Sequence, residues 1–205
     1  MKLVSTAQMR SLDSRSISEA GIPGEVLMER AGLGAAEHIL DFASALDPAH
    51  VGRFVILAGK GNNGGDGHVV ARHLRRLAPE TPVVVFSVCE VGELSGDALL
   101  NARRLPPDAP LVVKQSLARD DFKKGDIIID ALLGIGAKGP LRPPFDQWIN
   151  FVNGLGLPVA ALDIPSGLDG DDGSAATSAA SPAGRSAIVA DMTITMGLPK
   201  VGLTV

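Results

Sequence analysis

Apolar positions recur along this chain in two rhythms. From Thr6 to Ala20 they fall at Met9, Leu12 and Ile17 with polar residues between, which predicts a surface helix begun by Ser5 or Thr6 and stopped by Gly21-Ile-Pro-Gly24. A second helix is predicted over roughly Glu25 to Ala45, with Leu27, Met28, Ala31, Ala35, Ile39 and Leu40 on one broad face and an end before Pro48. Short apolar runs then follow at Phe54–Ala58, Val83–Val88, Ile127–Asp130, Val159–Asp163 and Met192–Met196, and these predict buried strands. Between several of them, Val69–Leu77, Ser95–Leu105 and Phe145–Asn153 carry helical spacing. Strands that alternate with crossover helices imply an α/β fold, a parallel sheet covered on both faces, here preceded by two helices. Gly170 to Gly184 reads as a loop, no internal repeat is found, and 205 residues suit one globular domain over 1–205.

Composition narrows the function classes. A net charge of −4 argues against a nucleic-acid surface, and Arg72, Arg75 and Arg76 fit a solvated helix face. The single cysteine, Cys89, excludes an intrachain disulfide and ends an apolar run, so packing is expected of it rather than reactivity. Met1 to Thr6 lacks an apolar signal core, and no run approaches the roughly 18 apolar residues of a membrane span, so a cytoplasmic location is the default expectation.

The densest chemistry lies in Gly59-Lys-Gly-Asn-Asn-Gly-Gly-Asp-Gly67, between a predicted strand and a predicted helix. Free backbone N–H groups and the positive end of the helix dipole make such a loop an anion site. Gly59-x-Gly61-x-x-Gly64 also meets the dinucleotide fingerprint, a weak signal alone; no Lys-Ser or Lys-Thr pair closes a Walker A loop. Asn62, Asn63 and Asp66 exceed what a phosphate cradle needs; the plainer reading is a turn with Asp66 as helix cap. Two later strands end at Asp130 and Asp163, the second followed by Ser166. In a parallel sheet ligands collect at the carboxyl ends of the strands. There Asp130, Asp163, the Asn63 amide and the Ser166 hydroxyl would offer hard oxygen ligands and a titratable group. That set suits an alkali ion or a partly hydrated divalent ion better than zinc. The histidines, His38, His50, His68 and His73, lack metal-pair spacing and are expected at the surface or at caps. Lys138 and Arg142, beside a second glycine loop, have the reach for a phosphate.

Asn62-Asn-Gly-Gly-Asp-Gly67 with Ala71-Arg-His-Leu74, Asp130-Ala-Leu-Leu-Gly134 and Asp163-Ile-Pro-Ser-Gly-Leu-Asp169 together resemble the YjeF N-terminal domain family, the NAD(P)H-hydrate epimerases. Leu27-Met-Glu-Arg-Ala-Gly32 and Ala190-Asp-Met-Thr-Ile-Thr195 extend the similarity to about Ser5 through Leu203. The resemblance implies a Rossmann-like three-layer sandwich, a potassium ion, and epimerisation at nicotinamide C6 of hydrated NADH or NADPH. It further implies a partner dehydratase, ADP- or ATP-dependent, that uses the S form and here is expected on a separate chain or not at all; the N-terminal helices resemble those by which relatives pair, so the face from Leu27 to Leu40 either forms a homodimer or covers the sheet. By matching position it assigns potassium to Asn63, Asp130 and Ser166. Substrate falls to Asn62, Asn63, Gly64, Gly65 and Asp66, to Gly134, Ile135, Gly136, Ala137, Lys138, Gly139 and Pro140, and to Asp163. Asp163 is expected to act as acid and base, with Lys200 in support. Met196 stands where the family has an aromatic residue and Lys200-Val-Gly202 where it has Lys-Pro-Gly, while a further strand normally follows the point corresponding to Val205. Two other readings compete. One is a non-catalytic binding or scaffold module, which has no need of Asn63, Asp130, Asp163 and Ser166 together. The other is a dehydrogenase, for which Glu90 stands near the ribose-binding position but a substrate domain is missing.

Overall fold

A computed structural model describes residues 2–46 and 51–205. The two N-terminal helices are α1 (Thr6–Ser18) and α2 (Gly24–Leu46). Ser5 is the α1 cap, its hydroxyl accepting from Gln8 N–H while the Gln8 side chain accepts from Ser5 N–H, a reciprocal capping box. Pro48 and His50, about which the sequence carries expectations, lie outside the described residues.

Six parallel strands follow: β1 (Arg53–Ala58), β2 (Val83–Ser87), β3 (Leu111–Val113), β4 (Asp126–Ala131), β5 (Val159–Leu162) and, after a short hairpin, β8 (Met192–Ile194). Their spatial order is β3-β2-β1-β4-β5-β8. The chain thus builds outward from β1 in one direction through β3, then crosses back to β4 and continues the other way. The order reverses between β1 and β4, and a crevice opens above the carboxyl ends of strands at such a point. Helices α3 (Asn62–Leu77), α4 (Gly96–Arg103) and α5 (Phe145–Asn153) supply the crossovers.

Side chains alternate across the sheet as period-2 geometry requires. Phe54, Ile56 and Ala58 of β1 join Ile127 and Ile129 of β4 in a core with Ala35, Ala36 and Ile39 of α2 and Val70, Ala71 and Leu74 of α3. Val55, Leu57 and Ile128 face the other way, onto Trp148, Ile149 and Val152 of α5. The sandwich has three layers, and the broad apolar face of α2 covers the sheet.

Three expectations are corrected here. The helix expected from Val69 begins at Asn62, inside the glycine loop, with Gly61 as its cap; Asp66 therefore sits within the helix and caps nothing. Its glycines serve close packing: a Cβ on Gly65 would lie 2.8 Å from the Met28 sulfur of α2, and one on Gly67 2.7 Å from Ala131. The edge strand β3 was missed because three half-exposed residues carry no periodic signal. The Gly170–Gly184 loop contributes β6 (Ala176–Thr177), which pairs antiparallel with β7 (Arg185–Ser186).

Candidate active site

β4 and β5 are adjacent, and the turns after them are tied together through Asp130 and Ser166. The Asp130 carboxylate accepts from Ser166 N–H (2.7 Å), Ser166 Oγ (2.6 Å) and Leu132 N–H (3.2 Å). The Ser166 hydroxyl in turn accepts from Leu133 N–H at 2.8 Å. Asp130 is fully buried, and this desolvation pushes its pKa up to about 6 despite the three donors. Asn63, in the first turn of α3, is also buried, and neither its amide oxygen nor its amide nitrogen has a hydrogen-bond partner. An unmade pair of that kind costs about 1–3 kcal/mol, so the amide is a group with hydrogen-bonding or ligating capacity that the protein itself does not use.

Gly134 connects this cluster to Asp163. A Cβ there would lie 2.9 Å from Asp163 Oδ2 and 3.3 Å from Asn63 Cβ, so the absence of a side chain keeps open the space the two residues border. Asp163 follows β5 with φ of 65°, the one positive-φ non-glycine among the described residues. Aspartate is among the few L-residues that tolerate this conformation, and such strain clusters at functional sites. The carboxylate is held at both oxygens: Oδ2 accepts from Ile135 N–H (3.1 Å) and Oδ1 from Lys200 Nζ (2.5 Å). Lys200 is fully buried, and its ammonium also donates to Thr195 Oγ1 (2.9 Å) and the Met196 carbonyl (2.7 Å), so all three N–H bonds are used. The backbone of Met196, not its side chain, matters to this contact.

The first glycine loop is packed as tightly as a loop can be. A Cβ on Gly59 would stand 1.9 Å from the Leu132 carbonyl oxygen, and one on Gly64 would stand 2.0 Å from that of Gly59. The loops after β1 and β4 thus touch backbone to backbone. Asp66, one turn along α3 from Asn63, is partly buried; desolvation, then the charges of Asp163 and Asp13, raise its pKa well above the carboxylate range while Lys200 opposes them. From Leu133 and Gly134 a cavity of about 630 Å³ extends past Ala137, Lys138, Gly139, Pro140 and Arg142 to Arg185 on β7. That volume is of the size small-molecule sites have.

The structure therefore gathers Asn63, Asp130, Asp163, Ser166 and Lys200 around Gly134, and lines a neighbouring cavity with Lys138 and Arg142. Asn62 opens α3 in an exposed position, and Gly136 is not among the residues lining the cavity. The histidine expectation is corrected: His38 is exposed, but His68 is fully buried and His73 nearly so. His73 Nε2 lies 2.7 Å from Glu29 Oε1, an acidic partner on α2 that periodicity does not reveal. Arg72 and Arg75 likewise pair with Glu29 and Asp108 rather than standing free in solvent. Cys89 is buried, as expected, and desolvation raises its thiol. Asp13 of α1, to which the sequence assigns no role, is exposed yet near enough to Lys200 and Asp163 to feel their charges; desolvation first, then Asp163, raises its pKa, with Lys200 opposing.

The fold and site define a Rossmann-like α/β domain with its oxygen-rich centre at the reversal of strand order. The family described as YjeF-related protein N-terminus matches residues 24–202, and the chain belongs to it. A relative named NAD(P)H-hydrate epimerase from Rhodopirellula baltica is 37% identical over 198 residues, covering 95% of this chain and 74% of the relative. One of the same name from Limosilactobacillus fermentum is 33% identical, covering 98% of this chain and 88% of its own length. A relative named bifunctional NAD(P)H-hydrate repair enzyme Nnr from Salinibacter ruber is 37% identical over 99% of this chain, which spans 38% of that longer protein. The crystal structure of yeast ynu0, YNL200c, superposes with a TM-score of 0.78 at 23% identity, covering 100% of this chain and 84% of that one, and shares the fold.

Proposed function

We propose that the chain epimerises the R form of NADH or NADPH hydrate to the S form at nicotinamide C6, supplying a dehydratase that uses the S form. The observation that carries this reading is the juxtaposition of a buried Asp163–Lys200 ion pair with Gly134 and the unpartnered Asn63 amide, in a chain whose relatives are named for that reaction. Asp163 takes and returns the proton of the C6 hydroxyl, and Lys200 holds it in place. The 630 Å³ cavity accommodates the rest of the dinucleotide, with Lys138 and Arg142 beside its phosphates. A scaffold without catalysis is disfavoured, since a buried lysine and two buried carboxylates are costly to keep for surface contacts alone.

Potassium fits the residues present. Asn63 offers an amide oxygen that nothing else occupies, and Asp130 and Ser166 offer hard oxygens with one negative charge between them, a donor set weak enough for a monovalent ion. Bound there, the ion would supply positive charge and fix the loops after β1, β4 and β5. Pairing of two copies would use the outward side of α1, where Leu12 and Ile17 are exposed. A coupled assay tests the function: purified R hydrate is supplied with a dehydratase that consumes only the S form, with potassium or tetramethylammonium as the cation. The expected result is faster consumption on adding this chain, more so with potassium. Consumption limited to the spontaneous rate in both salts refutes the reading.

A further inference from the structure

Asp163 and Lys200 follow different strands, and one segment near the start of the chain reaches the surroundings of both. Val4 pairs with the backbone on either side of Lys200: its N–H donates to the Pro199 carbonyl (3.0 Å) and its carbonyl accepts from Val201 N–H (3.1 Å). The lysine backbone is held there while its side chain turns inward to Asp163. Ser5 then starts α1, and Thr6, Met9 and Arg10 share one face of the helix by their three- and four-residue spacing. Thr6 is buried, and its N–H and Oγ1 donate to the Asp171 carboxylate at 2.6 and 2.8 Å. Met9 fills the space over Gly197, where a Cβ would lie 2.5 Å from the Met9 methyl carbon. Arg10 is exposed, and its guanidinium donates to the Ile135 carbonyl. The segment Val4–Arg10 therefore crosses the turns that follow β4, β5 and β8.

Ile135 is where this crossing meets the chemistry. Its N–H donates to Asp163 Oδ2 at 3.1 Å, and its carbonyl accepts from Arg10. Among the described residues, these are the hydrogen bonds that tie Gly134–Pro140 to other segments; Ala137 N–H to the Gly134 carbonyl (3.0 Å) only closes a turn within it. Gly134 and Gly136 flank Ile135, and glycine restricts its own backbone least, so this turn takes its shape from what holds it. Without the Arg10 bond Ile135 is free to move with the turn, and Asp163 Oδ2 then loses its donor while Oδ1 keeps Lys200. The positive φ of Asp163, 65°, is a conformation that persists only where the surroundings fix it. A guanidinium donor to a carbonyl is charge-assisted and so among the stronger bonds available for that purpose.

We propose that Arg10 is a positioning residue for the epimerisation, orienting the Asp163 carboxylate through Ile135. The inference rests on the epimerase reading and gives the first helix a part in the site. Arg10 fixes the Ile135 carbonyl and Ile135 N–H fixes Oδ2, while Lys200, its backbone paired on both sides with Val4, fixes Oδ1. Both carboxylate oxygens are thus aimed from one stretch of chain. A proton-transferring group works only within hydrogen-bond reach of its proton, and a misplacement of about 1 Å costs on the order of 100-fold in rate. Partial loosening of one of the two oxygens costs less than that.

The test uses the full chain and the R hydrate of NADPH, following R/S interconversion. Arg10→Met keeps the length of the side chain and removes its donors, whereas Arg10→Lys keeps a charged donor. Arg10→Met is expected to lower kcat about 10-fold with KM within about 2-fold of wild type, and Arg10→Lys to recover most of the loss. Because Arg10 is exposed, both variants are expected to unfold at the wild-type urea midpoint, which separates lost positioning from lost fold. An unchanged kcat in Arg10→Met overturns the proposal, as does a kcat loss that Arg10→Lys does not recover. A raised KM with kcat intact makes Arg10 a substrate-binding group and overturns it too. A second readout does not depend on activity. In nitrogen-15 NMR spectra the Ile135 amide proton, shifted downfield by its bond to a carboxylate, is identified by its upfield move in Asp163→Asn. It is expected to move upfield in Arg10→Met and to stay in place in Arg10→Lys; an Ile135 amide unmoved in Arg10→Met overturns the proposal. A wild type with no epimerisation sinks the functional reading, and the amide response then still decides whether Arg10 holds Ile135 against Asp163. A wild type that works beside an Arg10→Met variant that works equally sinks only this inference.

Discussion

Replacing His68 with Phe isolates the energetic effect of one buried, unpaired imidazole. His68 lies in α3 with no exposed surface, and neither ring nitrogen has a hydrogen-bond partner. Burial lowers its pKa from 6.5 to about 4, with the nearby backbone of Ala98 opposing. The unfolded chain takes up this proton as pH falls past 6.5, while the folded chain resists until about 4. Stability is therefore intact above that window and is lost on descending through it. Integrating between pH 7.5 and pH 5, the wild type loses about 2 kcal/mol from this group alone. Phe is uncharged throughout and contributes no such slope. Its slightly larger ring adds a packing offset of roughly 1–3 kcal/mol that does not depend on pH. The quantity to read is thus the change, between the two pH values, in the stability difference of variant and wild type. Urea unfolding with linear extrapolation at pH 7.5 and pH 5 measures it. Contributions from Asp66, Asp130 and other titrating groups are common to both proteins and cancel. A stability difference that stays constant between the two pH values refutes the reasoning, because His68 would then be charged in the folded state or solvated without unfolding.

Much of the fold is legible because strands covered on both faces read as continuous apolar runs: Val83–Ser87 and Asp126–Ala131 are buried at every position. The start of α3 was hidden for the opposite reason. Asn-Asn-Gly-Gly-Asp-Gly has poor helix propensity, and only the close approach of Gly64 to Gly59, Gly65 to Met28 and Gly67 to Ala131, none of it local in periodicity, makes a helix the tightest way to pack those residues. The hairpin of β6 and β7 is two residues per strand and depends on a partner rather than on pattern. Within the site, Asn63, Asp130, Asp163 and Ser166 are legible because each ends a strand or opens the element after one, where the topology of a parallel sheet converges. Asp13 and the burial of His68 are not, since each depends on which neighbour a helix face meets. A one-dimensional pattern marks that a face is inward without naming what lies against it.

The glycine loop offers a paired prediction. Gly64→Ala places a methyl 2.0 Å from the Gly59 carbonyl oxygen, a backbone atom that cannot rotate aside, and is expected to destabilise by about 3 kcal/mol. Gly61→Ala meets nothing within 4 Å and is expected to cost under about 1 kcal/mol; thermal melts of both variants check the contrast. Ser166→Ala removes the hydroxyl that donates to Asp130 and accepts from Leu133 N–H, and should cost about 2–3 kcal/mol in urea unfolding while weakening any stabilisation that potassium confers relative to tetramethylammonium. The remaining prediction concerns the Asp163–Lys200 pair. Lys200→Met leaves a buried carboxylate with only the Ile135 N–H and should destabilise by about 3–5 kcal/mol, whereas adding Asp163→Asn removes the stranded charge and should restore most of that loss. Urea unfolding of the four proteins closes the cycle. If the doubly neutral protein is as stable as wild type yet does not epimerise, the pair is kept for its chemistry, because the fold manages without it. If it is less stable than Lys200→Met alone, the ion pair holds the turns after β5 and β8 together, and assigning Asp163 to proton transfer loses its main physical support.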